Sequence, residues 1–242
     1  MRIYLPKPLH GWREFAGEVG IIVLGVLIAL GAGQVVENIS WRQRANDATE
    51  ALREEVGEHY FQATESVVAQ PCIDTQLMHL QTALDRNSSG PAQVYTGNYS
   101  ERFTYRAPSR PWSDNKWQAI INEGVASHLD QELRANLGDH YAQVTIMREN
   151  SRATDQLGWR LNVLGRPGGF DPVTRSELAQ NIEEARGRVT YMKVVGNQII
   201  KRIQDMGLTP TSDYLERRLA RSATLTFCRE HGLPLGKVEP SD

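Results

Sequence analysis

The sequence predicts an all-α protein: one N-terminal transmembrane helix followed by a water-soluble domain built as an antiparallel helical bundle. Three observations carry this. An uncharged apolar run lies near the N-terminus, apolar residues recur at three- and four-residue steps through most of the rest, and breaker clusters cut those stripes into segments. The composition agrees. Of 242 residues, 40% are hydrophobic and 23% charged, as in foldable domains and unlike disordered chains. Formal net charge is −2, from 27 basic and 29 acidic residues, which lacks the basic excess of a phosphate-binding protein. Nucleic acid is therefore not an expected partner.

Residues 1–18 read as a short leader and residues 19–36 as the membrane helix. From Val19 to Val36 there is no charge, and Leu, Ile and Val dominate. Eighteen residues is at the short end of what crosses a bilayer core. Trp12 with Arg13 precedes the run and Trp41 with Arg42 follows it. The two indoles are about 43 Å apart along a helix, close to the spacing of the headgroup layers that tryptophan prefers. A cleaved signal peptide is a rival reading, with Ala29-Leu30-Gly31 as a small-x-small site, but Glu14 and Glu18 sit where such peptides carry positive charge. A buried helix of a soluble protein is the other rival. Basic residues are nearly balanced across the span, so orientation rests on the short leader and long following domain. Together these favour the inner (cytoplasmic) membrane, the N-terminus in the cytoplasm and the C-terminal domain in the periplasm or outside the cell. Gly25, Ala29 and Gly33 share one helix face, a spacing that lets a second membrane helix approach. The expected partners are the lipid bilayer and either a second copy or an envelope protein.

The string from Glu18 through Gly25 and Ala29 to Leu30, with Glu37 and Trp41-Arg42 after it, resembles the opening of uncharacterised bacterial single-pass membrane-anchored proteins. That family, a domain of unknown function, begins with an E-x-x-x-[IV]-x-[IVL]-G-[IV]-L-[IL]-A-L anchor. Trp117 through Gly124, then Leu129 and Tyr141, is similar to a second stretch of the same family. The resemblance implies location and carries no activity.

Residues 37–242 form the expected soluble domain. Ala45, Ala48, Leu52, Val56, Tyr60, Ala63 and Val67 make an amphipathic stripe continuous with the span, which Gln70-Pro71 is expected to end. A second helix covers about 73–86, and Asn87 to Pro91 breaks the chain. Residues 92–111 read as a short β-hairpin or an ordered aromatic loop. With the following segment they offer a candidate binding surface of Tyr95, Tyr99, Phe103, Tyr105, Trp112 and Trp117; the competing reading is an aromatic flap packed on the helices. Arg106 and Arg110 lie beside these aromatics, a combination suited to an anion or a peptide.

Ser113 or Asp114 caps a helix ending at Gly124, and Ser127 starts a long one reaching Leu161. Thr174-x-x-Glu177 reads as a capping box for a helix ending at Gly207, and one last helix holds Leu215, Leu219, Ala223 and Phe227.

No motif identifies catalytic, cofactor-binding or metal-ligating residues. Glu55 and His59, one turn apart, read as a surface contact, and Asp139 and His140 face different ways. Ser113-Asp-Asn-Lys116 overlaps two strings that serine acyl enzymes keep on separate elements, so capping explains it better. Cys72 and Cys228 form one disulfide if the domain is exported and remain buried thiols if it is not. The expected role is a non-enzymatic interaction or scaffold domain of the cell envelope. A ligand-sensing domain signalling through its juxtamembrane helix, or an envelope enzyme of unfamiliar type, remains open.

Overall fold

The computed structural model describes residues 12–86, 94–95, 102–166 and 168–238. The fold is all-α; the described residues form six α-helices and a two-residue strand pair. Helix α1 runs from Trp12 to Asp85, 74 residues and about 110 Å. Its first half, from Phe15 to Ser40, is exposed throughout; Ile21, Leu27, Leu30 and Val36 each expose 60% or more. That half contains an 18-residue window of mean hydropathy 2.5, none of it buried. The second half is the central helix of the bundle.

Proline at position 71 does not end α1, contrary to the sequence expectation. A proline inside a helix removes one N–H and crowds the carbonyls of the preceding turn. The C-terminal tail packs on this turn: Gly236 N–H donates to the Val68 carbonyl at 2.8 Å, one residue past the Val67 carbonyl that Pro71 leaves without its usual donor. A Cβ on Gly236 would lie 3.0 Å from the Val67 carbonyl oxygen and 3.4 Å from the Pro71 ring, so only glycine seats the tail this closely. The next residue, Cys72, is bonded to Cys228, both fully buried.

Strands β1 (Val94–Tyr95) and β2 (Arg102–Phe103) pair antiparallel, Val94 opposite Phe103. Helix α2 spans Asn115–Asn122. Gly124, at φ +75°, turns the chain into a short 3₁₀ turn, Val125–His128. The long helix α3, Gln131–Leu161, starts at Asp130 rather than Ser127, because the Asp130 carboxylate accepts from the Glu132 and Leu133 amides. Similarly, α4 (Pro172–Asp205) opens on Asp171, which accepts from Val173 and Thr174, with Pro172 at the first helical position. The Thr174-x-x-Glu177 box is therefore inside the helix and does not cap it. The predicted last helix is two, α5 (Ser212–Ala220) and α6 (Ala223–Glu230), split by Ser222, whose hydroxyl caps α6.

Helix α4 runs antiparallel to both α1 and α3. Arg186 meets Asp74 while Gln204 meets Tyr60, and Arg188 meets Asn150 while Arg202 meets Asp139. It follows that α1 and α3 are parallel. Two apolar clusters fill the space between them. The one nearer the exposed half of α1 includes Leu52, Val56, Leu137, Val144, Ile199 and Ile203; the distal one includes Ile73, Leu77, Leu80, Leu161, Ile182 and Val189. Where α1 and α4 cross most closely, a Cβ on Gly196 would sit 3.2 Å from the Ala63 carbonyl oxygen and from Val67 Cγ2.

Candidate functional site

Parallel α1 and α3 need a long return connection, and residues 104–114 provide it. This strap threads from the distal end toward the exposed half of α1, lying between the two helices. A series of polar contacts fixes its course. Thr104 Oγ1 donates to the Leu161 carbonyl and Tyr105 Oη to the Thr154 carbonyl, each at 3.2 Å. Gln76 clamps the backbone of Arg106, accepting from its N–H at 2.7 Å and donating to its carbonyl at 3.2 Å. Arg110 N–H donates to Ser151, the Trp112 carbonyl accepts from Arg148, and the Ser113 carbonyl accepts from His59 at 2.7 Å. Trp112 is fully buried at φ +49°, a left-handed conformation that a non-glycine residue adopts only when its surroundings hold it there.

The strap ends at a buried polar cluster that periodicity alone did not reveal. His59, on α1, and His140, on α3, are both almost fully buried, with Nδ1 of His59 2.9 Å from Nε2 of His140. The Ser113 carbonyl can only accept, so His59 carries its proton on Nε2. Its bare Nδ1 then accepts from His140 Nε2–H, which leaves Nδ1 of His140 bare and without a partner. Burial pushes the pKa of His59 down, against the Ser113 carbonyl and Glu55, which favour the charged form. Burial, then His59 and Arg202, pushes His140 down to about 3. Glu55, beside them, accepts from Tyr141 Oη at 2.8 Å and from the Lys116 amide at 3.1 Å. Glu55 and His59 are thus part of the core and not the surface contact expected from their spacing. Trp117 stacks on Tyr141, with 5.3 Å between ring centroids.

A second polar node lies midway along the strap. Glu65, fully buried on α1, accepts two hydrogen bonds from the Arg110 guanidinium, each 2.6 Å, and one from Ser222 Oγ at 2.5 Å. Ser222 in turn accepts from the Leu225 amide, so one carboxylate ties together α1, the strap and the start of α6.

Between these nodes and the distal end, a groove of about 350 Å³ opens beside the strap. Arg106, Ser109, Asp155, Trp159 and Thr224 line it, and Tyr105 forms part of its floor. Arg106, named from the sequence for an anion, is one wall; its aromatic neighbour is Trp159, which the sequence reading did not select. The two tryptophans it did select, Trp112 and Trp117, are core residues, as is Tyr105. They form no exposed surface because the strap buries Tyr105 and Trp112 between the helices and α2 turns Trp117 inward onto Tyr141. Tyr99 lies outside the described residues, as do the side chains of Tyr95, Phe103 and Trp12.

The remaining sequence-derived positions separate clearly. Gly25 and Gly33 have no atom within 4 Å of an added Cβ, and the face they share with Ala29 is open. Trp41 is half-buried, its ring stacked 4.0 Å from that of His128 with Arg44 over it, so it marks the start of the bundle as well as the end of the apolar run. Among the described residues, no group of three or more His, Cys, Asp or Glu side chains is placed to hold a metal ion. Comparison with protein-family models, with curated proteins and with solved structures finds no match to this chain.

Proposed function

We propose that the chain is a single-pass membrane protein that holds a rigid helical interaction domain close to the outer face of the inner (cytoplasmic) membrane. The observation that carries this reading is the dual nature of α1. One uninterrupted helix presents 18 residues of mean hydropathy 2.5 with no burial, then becomes the core of the bundle. An apolar surface of that size on a soluble monomer would drive association, whereas lipid accommodates it. The Cys72–Cys228 bond supports placing the bundle on the oxidising side, with the leader in the cytoplasm. A short segment separates the end of the apolar run at Val36 from Trp41, where packing begins, so the bundle stands at the lipid surface with little freedom to swing. That geometry suits a scaffold that meets membrane-borne partners or a second copy of itself.

Fractionation tests it. The protein should pellet with membranes and stay there through alkaline carbonate, and an alkaline phosphatase fused after Asp242 should be active. Recovery in the soluble fraction overturns the tether; an inactive phosphatase on a membrane-bound protein overturns the orientation.

A further inference from the structure

The groove beside the strap contains two opposite charges that the described protein leaves unmated. The backbone of Arg106 is held at both polar atoms by Gln76, so the root of its side chain is fixed. Its Nε–H is buried and has no acceptor, and among the described residues no carboxylate pairs with its guanidinium. Burial lowers its pKa; the Glu65 carboxylate, close enough to act through space but bonded to Arg110, opposes this, and Arg110 reinforces it. Arg110 itself is satisfied by Glu65 and cannot share that carboxylate's two oxygens more widely. Asp155, on α3, is half-buried in the same groove. Its Oδ2 accepts from Ser109 Oγ at 2.7 Å, and no cation among the described residues pairs with it; burial raises its pKa.

Two half-buried charges of opposite sign that line one cavity would ordinarily pair with each other. Arg106 and Asp155 do not, and each retains its desolvation cost. The groove between them is about 350 Å³, near the lower end of small-molecule sites. The ring of Trp159, 53% exposed, and the edge of Tyr105 supply an apolar wall.

We propose that this groove binds a free α-amino acid with an apolar side chain, its carboxylate on Arg106, its ammonium on Asp155 and its side chain against Trp159. A simple anion would satisfy Arg106 and leave Asp155 unmated; a simple amine would do the reverse. Only a zwitterion answers both groups at once. The site needs only the bundle, so it stands or falls separately from the membrane tether.

Isothermal titration of the full-length protein in detergent micelles tests this with three probes: L-leucine, N-acetyl-L-leucine, which lacks the ammonium, and L-leucinamide, which lacks the carboxylate. L-Leucine should bind, and each derivative should bind roughly 10- to 100-fold more weakly, the worth of one charge-assisted hydrogen bond. Arg106→Gln and Asp155→Asn should each weaken L-leucine by a similar factor, with the near-ultraviolet circular dichroism unchanged. Asp155→Asn keeps an acceptor for Ser109, and Arg106→Gln leaves the Gln76 clamp intact because that clamp is to the backbone. No heat from L-leucine or L-phenylalanine at millimolar concentration overturns the proposal. So does equal binding of either derivative, which would mark a plain anion or amine site. If a variant fails to fold, the three-probe comparison on the unaltered protein still decides.

Discussion

At the residue scale, the His59–His140 pair makes the core sensitive to acid. Both imidazoles are neutral when folded, because burial disfavours their charged forms. Glu55 and Glu58 oppose this at His59, while Arg148 reinforces it there and Arg202 at His140. In the unfolded chain a histidine titrates near 6.5. Above that pH neither state binds the proton and the pair costs nothing. As pH falls from about 6.5 toward 3, the unfolded chain takes up protons that the core refuses, so stability declines across that window. His140→Gln retains a donor for His59 and removes one titrating group. Its unfolding free energy, measured by urea titration at several pH values, should fall less steeply between pH 6.5 and 4 than that of the parent. An unchanged slope would show that His140 is not the group responsible. The sequence could not have located this pair. His59 and His140 are 81 residues apart, and only the parallel packing of α1 and α3 brings them together. What was legible was the composition of the neighbourhood, a tyrosine and an acid one turn from each histidine at most, without the partner across the helix interface.

At the element scale, helix stripes were legible and helix ends were not. Leu133, Leu137, Tyr141 and Val144 face the core of α3 as their three- and four-residue steps indicate, and Leu178, Ile182, Ala185 and Val189 do so on α4. Ends are decided by a few local hydrogen bonds, and at two of them an aspartate three residues from the favoured position, after Ser127 and before Thr174, caps the helix instead. Pro71 is the instructive failure. Its local preference is to stop a helix, but a tail arriving more than 160 residues later bonds the Val68 carbonyl next to the freed one, and a disulfide ties the adjoining Cys72 to α6. Cys72→Ser with Cys228→Ser should therefore cost more than a distant surface change. With the cysteines 156 positions apart in sequence, the chain-entropy model gives about 5 kcal/mol, and measured values usually lie at 2–4 kcal/mol. The loss should appear as a lower urea midpoint in the double variant and equally in the parent after reduction. The α1–α4 crossing supplies an independent check. Gly196→Val puts a branched side chain where a Cβ already meets the Ala63 carbonyl at 3.2 Å and should cost about 1–3 kcal/mol. Gly187→Ala, on an open face of the same helix, should stabilise by up to about 1 kcal/mol. Equal effects of the two would mean that the helices are not this close.

At the scale of the whole molecule, the strap determines the architecture. A chain of short connections would give each long helix an antiparallel neighbour. Here residues 104–114 cross the length of the bundle, so α3 begins at the same end as α1, and the strap takes the place of a fourth long helix. Nothing periodic in Thr104 to Asp114 announces this, because an extended segment buried between helices is held by polar contacts from both sides and not by a stripe of its own. The same layout assigns the two halves of α1 to different solvents. No residue from Phe15 to Ser40 is buried, and the first contacts of the bundle are Trp41 on His128 and Ala45 in the apolar cluster. The bundle should therefore fold without the apolar half. A fragment of residues 41–242, made under oxidising conditions, should be soluble and monomeric. Its urea midpoint should match that of the full-length protein, because it loses no buried contact. A fragment of residues 53–242 removes Ala45, Ala48 and Leu52 along with the Trp41–His128 stack, and losing a buried leucine such as Leu52 alone costs about 2–5 kcal/mol. It should unfold at much lower urea. If instead the 41–242 fragment aggregates or unfolds early, the apolar half of α1 packs against the bundle in solution, and its exposure in the structure does not reflect a helix waiting for lipid.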